Sequence, residues 1–598
     1  MNTADIVHLP DHAPDVVLRH ATLYDGTGAP PLRADIAIRG GLIIEVAPAI
    51  ATQGREEMDL RGLWVTPGFI DIHTHYDAEI EAFPHLPEST RHGVTSVIIG
   101  NCSMSLALGN EDDVIDMFTR VESLSKNLLQ KWLQGRITWR GPREYAQHLA
   151  QLPLGPNVAG FLGHSNLRLA VLGKERSLGP TAVTAAELAQ MDRHLTEALD
   201  AGFLGLSIDM LPWHRMAGAK YNGVSIPSQY ATQREYRYLA DQLRKCGRVM
   251  QATPNANRKE TVLYLALMSS GLFRRSLKVT SLAALDFRSN RAFTKLTGIL
   301  SGLANHVLGG DFRFQSLASP FQMWADGFST PIFEEFGSGT ALMNCDTREQ
   351  QLALLRDKNY RARFRSEWNN RRNRSFHRDF SQMQVVASPD GSMAGQSFAT
   401  LAAAQGIDGI DYFLNALEKF GEAVRWHTII ANDRPEKMRE LLTQPYNLPG
   451  FSDAGAHNRN LAFQHAHLCC LRDALIFDDG LSVERAVHRL TGETAAWFGL
   501  DRGTIAVGRV ADLCVIDPEK LKTDLSEPQE MIDDRFDGEM RMVTDSGGAV
   551  PHVIVAGKFL KRDGALSADA GKKRYGSFLP STHDARDYSS RNICRYDT

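Results

Sequence analysis

The chain has 598 residues with 66 basic and 70 acidic side chains, a formal charge of −4, and is 43% hydrophobic and 23% charged. This is ordinary globular composition, and it excludes a disordered tail protein, a collagen-like repeat and a coiled coil. Near-neutral charge leaves no electrostatic footprint for nucleic acid or an anionic membrane, so a small-molecule substrate is the starting expectation.

Residues 1–10 lack the basic and apolar regions of a secretory signal. No stretch reaches the roughly 18 uninterrupted apolar residues of a spanning helix. Seven cysteines, an odd number with Cys469 next to Cys470, argue against a disulfide framework. A cytoplasmic protein is expected. From Val16 to Val65 short β-rich runs alternate with turns, and Gly40-Gly41 between two alternating apolar runs predicts a hairpin. The same texture returns at 508–517 and 551–560. The two ends, 1–65 and 499–598, are therefore expected to build one small β-sandwich domain.

Between them, residues 66–498 show apolar strand-like runs separated by helical periodicity, the α/β pattern of a (β/α)8 TIM-like barrel. Candidate strands lie at 68–75, 95–100, 158–163, 202–208, 248–252 and 277–281, with later ones at 423–430 and 448–452. The stretch 313–381, rich in Phe, Arg and Asn and without regular period, predicts an insertion over the barrel mouth or on the surface, a common carrier of specificity. Within it, Arg371-Arg372-Asn373-Arg374 reads as a solvated basic cluster.

The strongest chemical signal is Asp71-Ile72-His73-Thr74-His75 at the end of an apolar strand. Side chains two apart on a strand share a face, so both imidazoles can point into one barrel mouth and share a metal. The C-terminal ends of barrel strands are where such enzymes keep their chemistry. Taken alone, the motif also fits two ordinary histidines at a strand end.

The segment Pro67 to Asp77 resembles the amidohydrolase superfamily, and within it the D-aminoacylase (N-acyl-D-amino-acid deacylase) branch. The resemblance continues through Gly93 to Ser103, Gly163 to Arg168 and Phe451 to His457, and closes with Arg502 to Leu513. It implies a metal-dependent hydrolase whose bound water attacks an amide carbonyl. His73, His75, Cys102 and Asp453 match metal ligands, and Asp453 also matches the base that takes a proton from water. A thiolate at Cys102 suits zinc. Without the resemblance, Ser452-Asp453-Ala454-Gly455 reads as a turn and Cys102 as a small buried hydrophobe. His164 falls in a segment that in the family lies beside the substrate, where it would polarise the scissile carbonyl, and Arg168 would pair with a substrate carboxylate. His214, in the aromatic and cationic run 212–215, joins Tyr76 and His457 as a candidate pocket residue, and His457 also as a support for Asp453.

The chain departs from the family pattern on the fifth and sixth strands, where 248–254 and 277–283 contain none of the usual histidines. Gln251 offers only a carbonyl oxygen, a weak ligand for zinc. The fourth strand, 202–208, lacks the lysine that bridges two ions in many relatives. Three arrangements stay open: one ion on His73, His75 and Asp453 with Cys102; a shell completed by His164, His214 or His457; and a barrel without metal chemistry.

The expected activity is metal-dependent hydrolysis of a C–N amide bond in a small-molecule amide, an N-acyl-D-amino acid being the substrate the resemblance implies. Zinc or another divalent transition metal is the expected cofactor, as one ion, with two as the alternative. No nucleic-acid or membrane partner is expected, and self-association would follow the prevalence of homo-oligomers. The rival readings are a noncatalytic binding or assembly barrel and a lyase or decarboxylase on the same scaffold.

Overall fold

The structure is a computed structural model, and its described residues are 13–583 apart from 256, 371–373 and 479. The expectations attached to residues 1–10 and to Arg371-Arg372-Asn373 lie outside them. Among the described residues no helix is long and apolar enough to cross a membrane.

The described residues open with a β domain of β1 (Val16–Leu23), β2 (Leu32–Arg39), β3 (Leu42–Ala47), β4 (Glu56–Asp59) and β5 (Trp64–Pro67). Gly40 and Gly41, at φ 57° and 82°, supply the two left-handed positions that turn β2 back on β3. The barrel follows without a linker. Its first strand is split into β6 (Phe69–Asp71) and β7 (His73–Thr74), followed by β8 (Val94–Ile99), β9 (Asn157–Gly163), β10 (Gly205–Asp209), β11 (Val249–Thr253), β12 (Lys278–Ser281) and β13 (Asp311–Ser316).

An excursion then carries β14 (Phe321–Asp326), β15 (Gln384–Ala387) and β16 (Arg425–Ala431) before the eighth barrel strand, split into β17 (Asn447–Pro449) and β18 (Phe451–Ala454). Eight strands pair in parallel from β6 through β13 to β17. The ring closes where β18 pairs with β7 and the Ile72 N–H donates to the Gly450 carbonyl at 3.0 Å. Ile70, Ile72, Ile98, Phe161, Leu204, Val249 and Leu448 are buried together and pack the barrel floor, leaving the C-terminal strand ends for polar groups.

The chain returns to the β domain with β19 (Leu513–Ile516), a separate hairpin of β20 (Gln529–Asp533) and β21 (Glu539–Val543), and then β22 (His552–Val555), β23 (Lys558–Arg562) and β24 (Ala565–Leu566). β19 lies between β5 and β22, so both chain ends contribute to one nine-stranded sheet. A bulge between Leu18 and Ala21 bends β1, and one core gathers Leu18, Ile36, Ile38, Val65, Leu513 and Ile554. The fold is a (β/α)8 barrel with a separate β domain.

Two strand assignments differ from the sequence expectation. The seventh barrel strand is β13, which begins before the predicted insertion and overlaps it. Its Phe312 and Phe314 pack in the outer core while Arg313 and Gln315 take the other face, so it lacks the continuous apolar run of a typical parallel strand. The run 423–430 instead belongs to β16, which pairs antiparallel with β14 and β15 outside the barrel. The excursion has its own aromatic core, in which Trp368 stacks on Phe380 at 4.7 Å and Phe333 on Phe413 at 5.8 Å.

Candidate functional site

The site is built where β7, β8, β11, β13 and β18 end. Gly100, at φ 76°, lets the chain leave β8 sharply, and a Cβ there would stand 2.2 Å from the Phe161 carbonyl oxygen. The following Asn101 amide ties this turn to the first strand by donating to the carbonyls of Thr74 (3.2 Å) and Ile98 (2.9 Å). Cys102 and Ser103 then take left-handed backbone, at φ 51° and 66°. Such conformations are costly for side-chain-bearing residues and concentrate at functional sites. Across the mouth, Asp453 is also left-handed at φ 57°.

These turns bring four donor groups together. Cys102 Sγ lies 3.4 Å from His73 Nε2, and Asp453 Oδ1 lies 3.3 Å from His75 Nε2 and 3.8 Å from His73 Nε2. One donor atom from each of His73, His75 and Cys102 falls within 4.8 Å of the others. A tetrahedral ion with bonds of about 2.0–2.3 Å requires ligand atoms about 3.3–3.8 Å apart. Two imidazoles and a thiol form a donor set suited to zinc, so His73, His75 and Cys102 fit a single ion, with the Asp453 carboxylate beside the two imidazoles.

Three of the four donors, His73, His75 and Cys102, are braced from outside. His73 Nδ1 meets Gln315 Oε1 at 2.7 Å, which leaves Nε2 turned toward the cluster. Glu122 Oε1 is 3.1 Å from His75 Nδ1. The Cys102 N–H donates to Gln251 Oε1 at 3.0 Å, and the Thr253 hydroxyl donates to its sulfur at 3.2 Å. Gln251 therefore spends its carbonyl oxygen on the backbone of Cys102.

Burial and mutual charge set the protonation of this cluster. Burial, reinforced by neighbouring His75, pushes His73 down to about 3. Burial opposes the charge on His75, yet Glu122 and Asp453 outweigh it and hold that imidazole well above its usual range. Asp453 is held well below the usual carboxylate range, since the two imidazoles overcome its desolvation. Burial raises the Cys102 thiol to about 11 and Glu122 to about 7.

The cluster opens into a cavity of about 180 Å3 whose lining includes His75, Cys102, Glu122, His214, Thr253, Asp453 and His457. His214 stands on the loop after β10, its Nδ1 2.6 Å from Asp209 Oδ2, and Asp209 lifts its pKa against the opposing pull of burial. His457 Nδ1 is 3.2 Å from Ser123 Oγ. Of the residues singled out from sequence, His73, His75, Cys102 and Asp453 thus converge, and His214 and His457 reach the same space.

Three others do not. His164 opens the helix His164–Ser177 directly after β9, and its ring sits between Ser228 Oγ and Glu235 Oε1, each at 3.0 Å. Arg168, one turn on, places Nη1 2.6 Å from Glu235 Oε1. Both are buried away from the cavity because strand passes to helix without a loop that would aim them at it. Tyr76 is buried with its hydroxyl 2.8 Å from Ser89 Oγ. Sequence reasoning missed Glu122 and Gln315. Glu122 merely ends the helix Glu111–Val121, and Gln315 was assigned to the insertion.

The sequence profile of the amidohydrolase family matches residues 56–560. An uncharacterized protein of Mycobacterium tuberculosis (strain ATCC 25618 / H37Rv) is 41% identical over 562 residues, covering 92% of each chain. An N-acyl-D-aspartate deacylase of Alcaligenes xylosoxydans xylosoxydans is 35% identical over 203 residues, 33% of this chain and 37% of that one. Among solved structures, an N-acyl-D-glutamate deacylase from Bordetella bronchiseptica, complexed with zinc and a phosphonate inhibitor, shares the fold. Its TM-score is 0.62 at 20% identity, over 95% of this chain and 100% of that chain.

Proposed function

The chain belongs to the amidohydrolase family, and from that premise we propose that it hydrolyses an amide C–N bond using one divalent metal ion held by His73, His75, Cys102 and Asp453. The observation that carries this reading is the convergence of these groups beside the cavity, with Cys102 Sγ and Asp453 Oδ1 3.4 and 3.8 Å from His73 Nε2 and Asp453 Oδ1 3.3 Å from His75 Nε2. Deacylases of N-acyl-D-amino acids among the relatives support the reaction class. A single ion is supported by Gln251, whose oxygen is engaged by the Cys102 N–H.

When bound, an ion of the zinc class supplies Lewis acidity toward a carbonyl oxygen and a water acidic enough to ionise near neutral pH. Asp453, kept ionised by its imidazole neighbours, accepts one proton from the attacking water and delivers it to the departing nitrogen. A C–O bond forms as the C–N bond breaks, and the products are a carboxylate and a free amine. His214, braced by Asp209, which raises its pKa against burial, presents its other ring nitrogen to the oxygen on which negative charge grows. Gln315 and Glu122 keep His73 and His75 in the orientation that faces the cluster.

The test is elemental analysis of protein purified without added metal or chelator, wild type beside His73→Ala, coupled to an assay for released amine. About one equivalent of metal, lost in the variant together with amine release, is the expected result. A metal-free wild type that takes up none when metal is offered would overturn the reading.

A further inference from the structure

On the outside of the barrel, the helix Phe293–Gly302 and its continuation Leu303–Val307 are packed inside out. Thr294, Thr297, Ser301 and Ala304 are buried, and the hydroxyls of Thr297 and Ser301 donate to the carbonyls of Thr294 and Thr297 at 2.8 and 2.9 Å. Leu296, Ile299, Leu303 and Val307 are exposed, Ile299 by 69% and Val307 by 62%. Spacings of three, four and four residues set these aliphatics in one stripe. A surface helix ordinarily has the opposite arrangement, and a large apolar face turned outward belongs against a partner.

The stripe has apolar neighbours. The preceding helix, Lys259–Ser269, exposes Leu263 and Leu267 one turn apart, and the loop after it exposes Leu272 and Phe273. That loop is tied to the end of the striped helix, because the Gly271 N–H and the Ser270 hydroxyl both donate to the Leu308 carbonyl, at 2.9 and 3.1 Å. Phe273 is fully exposed on left-handed backbone at φ 60°, a conformation that bulky residues avoid. Between the helices Gln233–Cys246 and Lys259–Ser269 runs a groove of about 320 Å3, lined by Tyr264, Leu267 and Met268 with Arg237, Asp241 and Arg274.

Together these exposed residues present about 800 Å2 of surface, which is what each partner of a standard interface buries. The largest apolar patch on a typical monomer is about 300–600 Å2. Cations border the face at Arg258, Lys259, Arg274, Arg275 and Lys295, and acids stand among them, with Glu260 3.9 Å from Arg258 and Asp241 3.7 Å from Arg274. We infer that a second copy of the chain covers this face about a two-fold axis, stripe against stripe, with Phe273 of each copy entering the groove of the other. Such a contact requires a self-complementary patch. Here a projecting aromatic ring and an apolar groove flanked by arginine stand on one face, and a rim of both signs lets cation meet acid across the axis. None of the exposed residues lines the cavity beside the ligand cluster, so the inference is independent of the hydrolase reading.

The test is sedimentation equilibrium of the full-length protein, wild type beside Ile299→Glu and Phe273→Asn, with circular dichroism to establish that each variant is folded. Wild type is expected to dimerise with a Kd of about 1 μM or tighter, and each variant to weaken that Kd by about 30-fold or more. Asn accepts left-handed backbone, so Phe273→Asn removes the ring without straining the loop, and Val307→Glu replaces Ile299→Glu should the latter misfold. A monomeric wild type overturns the inference, whether the face then binds phosphatidylglycerol vesicles or is covered by residues 584–598. A wild-type Kd in the folded stripe variant also overturns it, by placing the contact elsewhere, and a wild-type Kd in Phe273→Asn overturns the insertion of the ring.

Discussion

Gln315, on the seventh barrel strand, reaches His73, on the first, and places its side-chain oxygen 2.7 Å from the imidazole Nδ1. This contact selects the tautomer in which Nδ1 carries the proton and Nε2 is free to face the ligand cluster. Replacing Gln315 with Leu keeps much of the volume and removes the acceptor. Metal affinity, measured by competition with a chelator, is expected to fall about 10–100-fold, with secondary structure unchanged. Unaltered affinity would show that packing alone, including Phe451 against the ring, sets the orientation of His73.

Asp453→Asn preserves the shape of the side chain and removes its basicity. Turnover is expected to drop by a factor of about 100 or more, read under saturating metal with the bound ion quantified in the same sample. A variant that keeps its ion and most of its rate would remove Asp453 from the proton-transfer role.

Cys102→Ser tests the sulfur. The hydroxyl is a poorer ligand for a zinc-class ion than a thiolate, so retention through dialysis is expected to weaken by about tenfold or more. The Thr253 hydroxyl would also lose its sulfur acceptor. Equal retention would leave Cys102 as a packing residue on its left-handed turn.

Arg168 and Glu235 form a buried pair with His164 on the same carboxylate. Removing one partner strands the other charge, which typically costs about 3–5 kcal/mol. Arg168→Met is therefore expected to lower stability in denaturant unfolding by that order while KM for the best amide substrate stays unchanged. A raised KM with unchanged stability would return Arg168 to the substrate-binding role expected from sequence.

Lys561, in the β domain, donates to the Arg91 carbonyl at 2.9 Å, and burial holds its ammonium down to about 8 against an ordinary value of 10.5. Between these values the unfolded chain still carries the proton that the folded chain has shed. Unfolding then takes up protons, so this group makes stability rise with pH. Below pH 8 both states are charged and the full desolvation cost is present. Lys561→Met removes the titration, and its stability relative to wild type is expected to decline by up to about 3 kcal/mol from pH 8 to 10.5. A constant difference across that range would mean that Lys561 ionises normally in the fold.

The parts of this molecule that announced themselves in sequence were those governed by local chemistry. His73 and His75 could be read because a two-residue spacing on one strand fixes a shared face. Gly40-Gly41 announced its turn because only left-handed backbone fits there. Asp453 and Cys102 required the family resemblance, because a left-handed Asp or Cys at a strand end looks like any turn. Glu122 and Gln315 act through partners 47 and 242 positions distant in the chain, and nothing local marks them. β13 was obscured because its interior face is polar, whereas β16, an apolar run in the excursion, imitated a barrel strand. Arg168 carried a family motif into a helix whose packing turns it toward Glu235.

The strand bearing the two histidines continues directly from β5, whose Pro67 pairs with Leu513 of β19 and whose neighbour Gly68 donates to the Asp512 carbonyl at 2.9 Å. During synthesis, that root stays without its neighbour until about 450 further residues have been made, roughly 20–90 s at elongation rates of about 5–20 residues per second. The root of the first barrel strand is thus held by a strand from far along the chain, whereas the donor groups themselves all lie between residues 73 and 453. A chain released before β19 would carry His73 and His75 on a strand whose root lacks that neighbour.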